Sequence, residues 1–129
     1  MKIERTGIIL NTKNYHECVK FYQELFNLPV LFEKSEGDFA LCCLAFGESY
    51  IMVETGGIAV TKGKSIHQSP IKIRFNVADI DAALKHLVDN GVNAKIEYYD
   101  WGSTINLHDP DGNRIGIRDE SKFIEDVEK

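Results

Sequence analysis

The chain has 129 residues, 43% hydrophobic and 27% charged, with a formal net charge of −5. That is the composition of an ordinary soluble globular protein of one domain, or of two small modules sharing a core. The acidic balance argues against a nucleic-acid partner, and with no membrane-length apolar run and no signal-peptide pattern in MKIERTG, a cytoplasmic protein with no membrane partner is expected.

The first element, RTGIILN, alternates as a strand. A helix follows, with Asn14 expected as its cap and Glu17 reaching back from three residues on, as in a capping box. Cys18, Phe21, Tyr22, Leu25 and Phe26 fall on one helical face, and Pro29 ends the element. Three strands come next: VLFEK, then FALCCLAF after a turn at Glu36-Gly37-Asp38, then SYIMVE after a turn at Gly47-Glu48. Cys42 and Cys43 are adjacent on a strand and point to opposite faces, so a disulfide between them would be strained. With Cys18 they are expected to be reduced thiols in the core.

The segment from Thr55 to Pro70 is rich in glycine and small polar residues and reads as a linker. After it, IKIRFNV alternates strictly. Asp79 is the expected cap of a second helix with Ile80, Ala83, Leu84, Leu87 and Val88 along one side and Gly91 as terminator. AKIEYY, STINLH and NRIGIRD supply three more strands. The order βαβββ is thus repeated, and the two caps lie sixty-five residues apart. The expected organisation is a first module at 1–54, a linker at 55–70, a second module at 71–119 and a tail at 120–129. The fold class is α+β: two tandem βαβββ modules that pair their sheets around a concave cleft, because neither half alone buries enough surface.

Paired βαβββ modules, the Phe21-Tyr22 pair on the first helix, and DPDGN leading into the last strand resemble the vicinal oxygen chelate superfamily. That group holds glyoxalase I, bleomycin-resistance proteins, extradiol dioxygenases and fosfomycin-resistance enzymes. The resemblance covers essentially the whole chain. In metal-dependent members it implies one His, Glu or Gln ligand from the first and last strand of each module. Here those positions fall on Gly7, Met52, Lys72 and Gly116, with Glu54 in place of Met52 only under a register slip. Glycine has no ligand atom, methionine is soft and protonated lysine repels a cation, so no metal and no cofactor are expected.

On the lost ligands' parity stand Arg5, Ile9, Asn11, Tyr50, Glu54, Lys72, Arg74, Asn76, Arg114 and Arg118. The opposite parity, Ile8, Leu10, Ile51, Val53, Ile73, Phe75, Ile115 and Ile117, reads as helix-facing core. The expected function is therefore a glyoxalase- or bleomycin-resistance-like protein without the metal ligands, binding a small anionic or polar-aromatic molecule. Arg5, Asn11, Tyr50, Met52, Lys72, Arg74, Arg114, Arg118 and Trp101 would line its pocket, with arginine forks receiving a carboxylate or phosphate. The glycines at 7 and 116 would leave space in it. A cationic wall argues against bleomycin itself as the ligand. Alternatives are a lyase or isomerase with a non-standard or metal-free site, using Glu54 or Tyr50, and an interaction module without a pocket. A homodimer is expected from the resemblance. The polar run from His108 to Asn113 reads as hairpin geometry rather than a ligand set, and His67 sits in the linker over a possible cleft mouth.

Overall fold

A computed structural model describes all of residues 1–129. It divides into two compact units, residues 1–62 with 110–112, and residues 63–109 with 113–129. Each is a four-stranded mixed sheet carrying helices, so the chain is an α+β protein of two similar modules. No helix is long and apolar enough to cross a membrane.

In the first unit the elements are β1 (Gly7–Thr12), α1 (Tyr15–Lys20), β2 (Val30–Glu36), β3 (Phe39–Phe46) and β4 (Ser49–Thr55), with sheet order β1-β4-β3-β2. β1 runs parallel to β4, Gly7 opposite Tyr50 and Asn11 opposite Glu54, and the other pairs are antiparallel. Period-two alternation sends Cys42, Leu44, Ile51 and Val53 to one buried face, where α1 lies across β4. Cys18 and Tyr22 are fully buried there, and all three cysteines are free thiols in the core. The helix widens into a π-helical turn over Phe21–Leu25, where Tyr22 meets Phe21 edge-on and stacks with Phe26. Asn27, at φ 55°, breaks it ahead of Pro29.

The expected capping box at Asn14 does not form. Asn14 is drawn instead to Asp111, a fully buried residue of the turn at 110–112 that belongs to this unit. One carboxylate oxygen of Asp111 accepts the Lys13 amide at 2.7 Å; the other accepts the Asn14 amide at 3.0 Å and its side-chain Nδ2 at 2.8 Å. Three donors on a charged acceptor outweigh one neutral cap, and the negative charge stands beside a helix N-terminus.

In the second unit the elements are β5 (Ile73–Val77), α2 (Ile80–Asp89), β6 (Glu97–Tyr99), β7 (Gly102–His108), β8 (Arg114–Asp119) and α3 (Glu120–Val127), with sheet order β5-β8-β7-β6. Asp79 caps α2 as its sequence requires, accepting the Ala82 amide at 3.0 Å, and Gly91 at φ 81° closes it. Ile80 and Leu87 are buried, but Val88, expected on the same side, is exposed: it lies at the rim of the apolar arc, in the last turn. β6 is shorter than AKIEYY suggests, because pairing on this edge begins only where Glu97 faces Thr104. The β7–β8 turn is held by Asp109, whose carboxylate accepts both the Asn113 amide and its side chain at 2.9 and 2.8 Å. The tail is a helix. Asp119 caps it through the Lys122 amide at 3.2 Å and also accepts the Ser103 amide at 2.8 Å.

Candidate functional site

Residues paired across a sheet share a face, so register decides which side chains meet. In the second unit Arg74 pairs with Gly116, Asn76 with Arg118, Asn106 with Gly116, His108 with Arg114, and Glu97 with Thr104. These residues form the face opposite the apolar one of Ile73, Ile105, Ile115 and Ile117. Lys72 precedes β5 on the same side, and four cations therefore gather on one sheet face of an acidic protein.

Gly116 makes this possible by close approach. A Cβ there would stand 2.9 Å from Lys72 Cε and 3.1 Å from Arg74 Nε. The expected vacancy is thus not empty: the two long side chains lie across it. Lys72 Nζ donates to Asn106 Oδ1 at 2.5 Å, and Asn106 in turn approaches Glu97 at 3.5 Å. Burial, then the charges of Arg74 and Arg114, push the Lys72 amine below the usual lysine range, with Glu97 pulling the other way. Burial and the neighbouring Arg118 likewise lower Arg74.

Arg118 is 7% exposed. Its Nη2 donates to the Trp101 carbonyl at 2.7 Å, and its guanidinium lies 4.9 Å from the Trp101 ring and 5.3 Å from Phe123. Arg74 approaches the same indole at 5.6 Å, and Tyr99 stacks on it at 5.2 Å with the planes 5° apart. Trp101 is therefore engaged by its own unit as well as partly exposed. It also borders a recess of about 270 Å³ with Lys122, Glu125, Asp126 and Lys129 of the C-terminal segment. The Nε atoms of Arg74, Arg114 and Arg118 are all buried without a hydrogen-bond partner. The ion pairs Lys2–Glu4, Lys85–Asp89, Lys122–Glu125 and Lys129–Asp126 include none of these cations.

The remaining expected residues stand on the first unit. Arg5 precedes β1 and is exposed. Asn11 donates to the Thr55 carbonyl at 3.1 Å. Met52 and Glu54 follow Tyr50 on β4, half-buried. The space expected over Gly7 is taken by the Tyr50 ring, whose atoms would lie 2.2–2.5 Å from a Cβ there. His67 is exposed in a turn where Ser65 and Gln68 hydrogen-bond each other. Sequence reading missed Asn106, Glu97 and Tyr99. Their alternation in AKIEYY and STINLH was visible, but their register against β8 was not.

A groove of about 600 Å³ lies elsewhere, on the helix side of the first sheet, lined by residues such as Tyr15, His16, Lys20, Glu33 and Lys34. Its charges are mixed and it is open to solvent. The cationic face has the more unusual chemistry, since mixed surface charges satisfy one another in water and buried unpaired guanidinium atoms do not.

A family model described as Glyoxalase/Bleomycin resistance protein/Dioxygenase superfamily matches residues 2–117. The chain belongs to this superfamily. Solved structures agree on the fold. SMU.1112c is 16% identical with a TM-score of 0.75, the match covering 92% of this chain and 98% of that one. The fosfomycin resistance protein FosX from Listeria monocytogenes, complexed with Mn(II) and sulfate, is 15% identical with a TM-score of 0.73 over 96% and 99%. TnmS3, an antibiotic binding protein from Streptomyces sp. CB03234, is 16% identical with a TM-score of 0.67 over 92% and 96%. No curated protein matches the sequence.

The superfamily's divalent metal does not fit the residues present. β1 and β4 offer Gly7, under a tyrosine ring, and Met52; the second sheet offers Lys72, an amine flanked by guanidinium groups, and Gly116 beneath it. No group of three His, Cys, Asp or Glu side chains is placed to hold a metal ion.

Proposed function

We propose that the protein binds a small anionic molecule with a planar apolar part on the β5–β8 sheet face of its second unit. Arg74 and Arg114 supply forked donors, Lys72 and Arg118 add charge, and Trp101 and Tyr99 border the site. The observation that carries this reading is the set of three buried, unpartnered guanidinium Nε atoms in a cluster of four cations without an ion-paired carboxylate. Bringing like charges together in a partly desolvated place is costly, and a bound anion offsets that cost. A relative described as an antibiotic binding protein supports a binding role on this fold.

The reading includes a homodimer in the cytoplasm. Exposed Ile9, Phe32 and Phe39 on the first unit supply apolar surface for pairing copies, and three reduced thiols suit a reducing compartment. Light scattering on the purified chain checks the dimer.

The test of binding is a thermal-shift series with benzoate, phenylpyruvate and phosphate on the wild type and on Arg74→Gln/Arg114→Gln. Stabilisation of the wild type by at least one of the two aromatic carboxylates, lost in the double variant, is the expected result. Equal shifts in both proteins would overturn the assignment.

A further inference from the structure

We propose that Lys72 is a nucleophilic amine that forms an imine with a 2-oxo acid held on the cationic face. This deepens the anion-binding reading and rests on it. Four observations set Lys72 apart. Its side chain lies flat over Gly116, where any side chain would displace it. Its only hydrogen-bond acceptor is the neutral amide oxygen of Asn106, at 2.5 Å, which orients the amine without fixing its charge. It forms no ion pair, whereas Lys85 and Lys122 each pair with a carboxylate one helical turn away. Its charged neighbours are the Arg74 guanidinium on β5 and the Arg114 guanidinium on β8, opposed by Glu97 on β6 beyond Asn106, with His108 next to Arg114 on β7.

An amine attacks a carbonyl only when neutral, and placing it among other cations in a partly desolvated site favours that form. The same guanidinium groups that disfavour the ammonium form receive a carboxylate bidentately. A 2-oxo acid carries its carbonyl carbon directly beside the carboxylate, so anchoring the anion brings the electrophile next to Nζ. The Nζ lone pair adds to the carbonyl carbon, and the C–O π pair moves to oxygen, which takes the proton that nitrogen gives up. The carbinolamine then loses its hydroxyl with one further proton as water, leaving a C=N bond. Amine and ketone become imine and water, with no change of oxidation state.

The experiment incubates the full-length protein with phenylpyruvate and sodium cyanoborohydride near neutral pH, then locates the reduced adduct by peptide mass spectrometry. Labelling of Lys72 in clear excess over Lys85 and Lys122 is expected. In Lys72→Arg, which keeps the positive charge, that adduct should be lost while the slow labelling of Lys85 and Lys122 is unchanged. If Lys72 labels no faster than Lys85 although phenylpyruvate stabilises the protein, the imine is overturned and anion binding stands. If phenylpyruvate neither stabilises the wild type nor labels Lys72, the imine is overturned, and if benzoate also fails to stabilise the protein the anion-binding reading falls with it.

Discussion

Asp111 Oδ1 accepts two hydrogen bonds from Asn14, at 3.0 Å from its amide and 2.8 Å from its side chain, across 97 residues of sequence. The DPDGN run is therefore divided in role. Asp109 holds its own turn through Asn113, while Asp111 anchors the start of α1.

Removing that carboxylate leaves the amide donors of Lys13 and Asn14 without their partner in a part-buried place. Asp111→Ala is expected to lose about 2 kcal/mol of stability, since an unsatisfied buried donor costs roughly 1–3 kcal/mol and these part-buried ones fall toward the low end. Asp111→Asn recovers only part of it, because an amide presents one acceptor where the carboxylate presents two. Urea denaturation followed by circular dichroism checks both, with the exposed pair Lys2–Glu4 as a control whose loss changes little.

Two glycines test close approach in different ways. A Cβ on Gly57 would stand 2.1 Å from the Asn11 carbonyl oxygen, a backbone atom that cannot swing aside. Gly57→Ala should destabilise by about 3 kcal/mol, at the upper end of ordinary overpacking. Gly116→Ala meets only the flexible ends of Lys72 and Arg74, so it should cost well under that but weaken anion binding. Equal stability losses in the two variants would contradict this contrast.

Lys72 gives a pH dependence of definite sign. Its amine is held below the 10.5 of a free lysine, so between the folded value and 10.5 the unfolded chain binds more protons. The penalty from Lys72 is complete below the folded value and fades as pH rises through that window. Lys72→Met should therefore be more stable than the wild type near neutral pH, with the gap narrowing toward pH 10. A gap that widens with pH would count against the depressed amine.

Asp119 shows the opposite behaviour. Burial pushes its carboxyl up, but hydrogen bonds from the Ser103 and Lys122 amides, its own amide and the Ser121 hydroxyl together hold it below the usual 3.8. Its stabilisation is present above 3.8 and is lost as pH falls through the folded value. Hydrogen exchange in α3 should accelerate in Asp119→Ala at neutral pH. In acid, the difference from the wild type should shrink.

Much of this architecture was legible because it follows from local pattern. Alternation located Ile73, Phe75, Ile115 and Ile117 on one face and Arg74, Arg114 and Arg118 on the other, and Asp79 and Gly91 marked the ends of α2. What sequence left hidden depended on partners far along the chain. Nothing near Asn14 reveals that Asp111 will claim it. Nor does STINLH state that Asn106 stands opposite Gly116 and so meets Lys72. Space over Gly7 and Gly116 was expected from the missing side chains, yet longer neighbours, Tyr50 in one case and Lys72 with Arg74 in the other, fill it. A missing Cβ is visible in a sequence; the rotamer that covers it is not.

The most direct test of the central claim is an NMR titration of isotope-labelled protein with benzoate and, separately, with phenylpyruvate. Saturable shifts should centre on the amides of Lys72 to Asn76 and Arg114 to Arg118 and on the Trp101 indole, and Arg74→Gln/Arg114→Gln should abolish them. Saturable shifts confined to Tyr15, His16 and Lys34 beside α1, or no saturable shifts at all, would contradict an anion site on the second sheet.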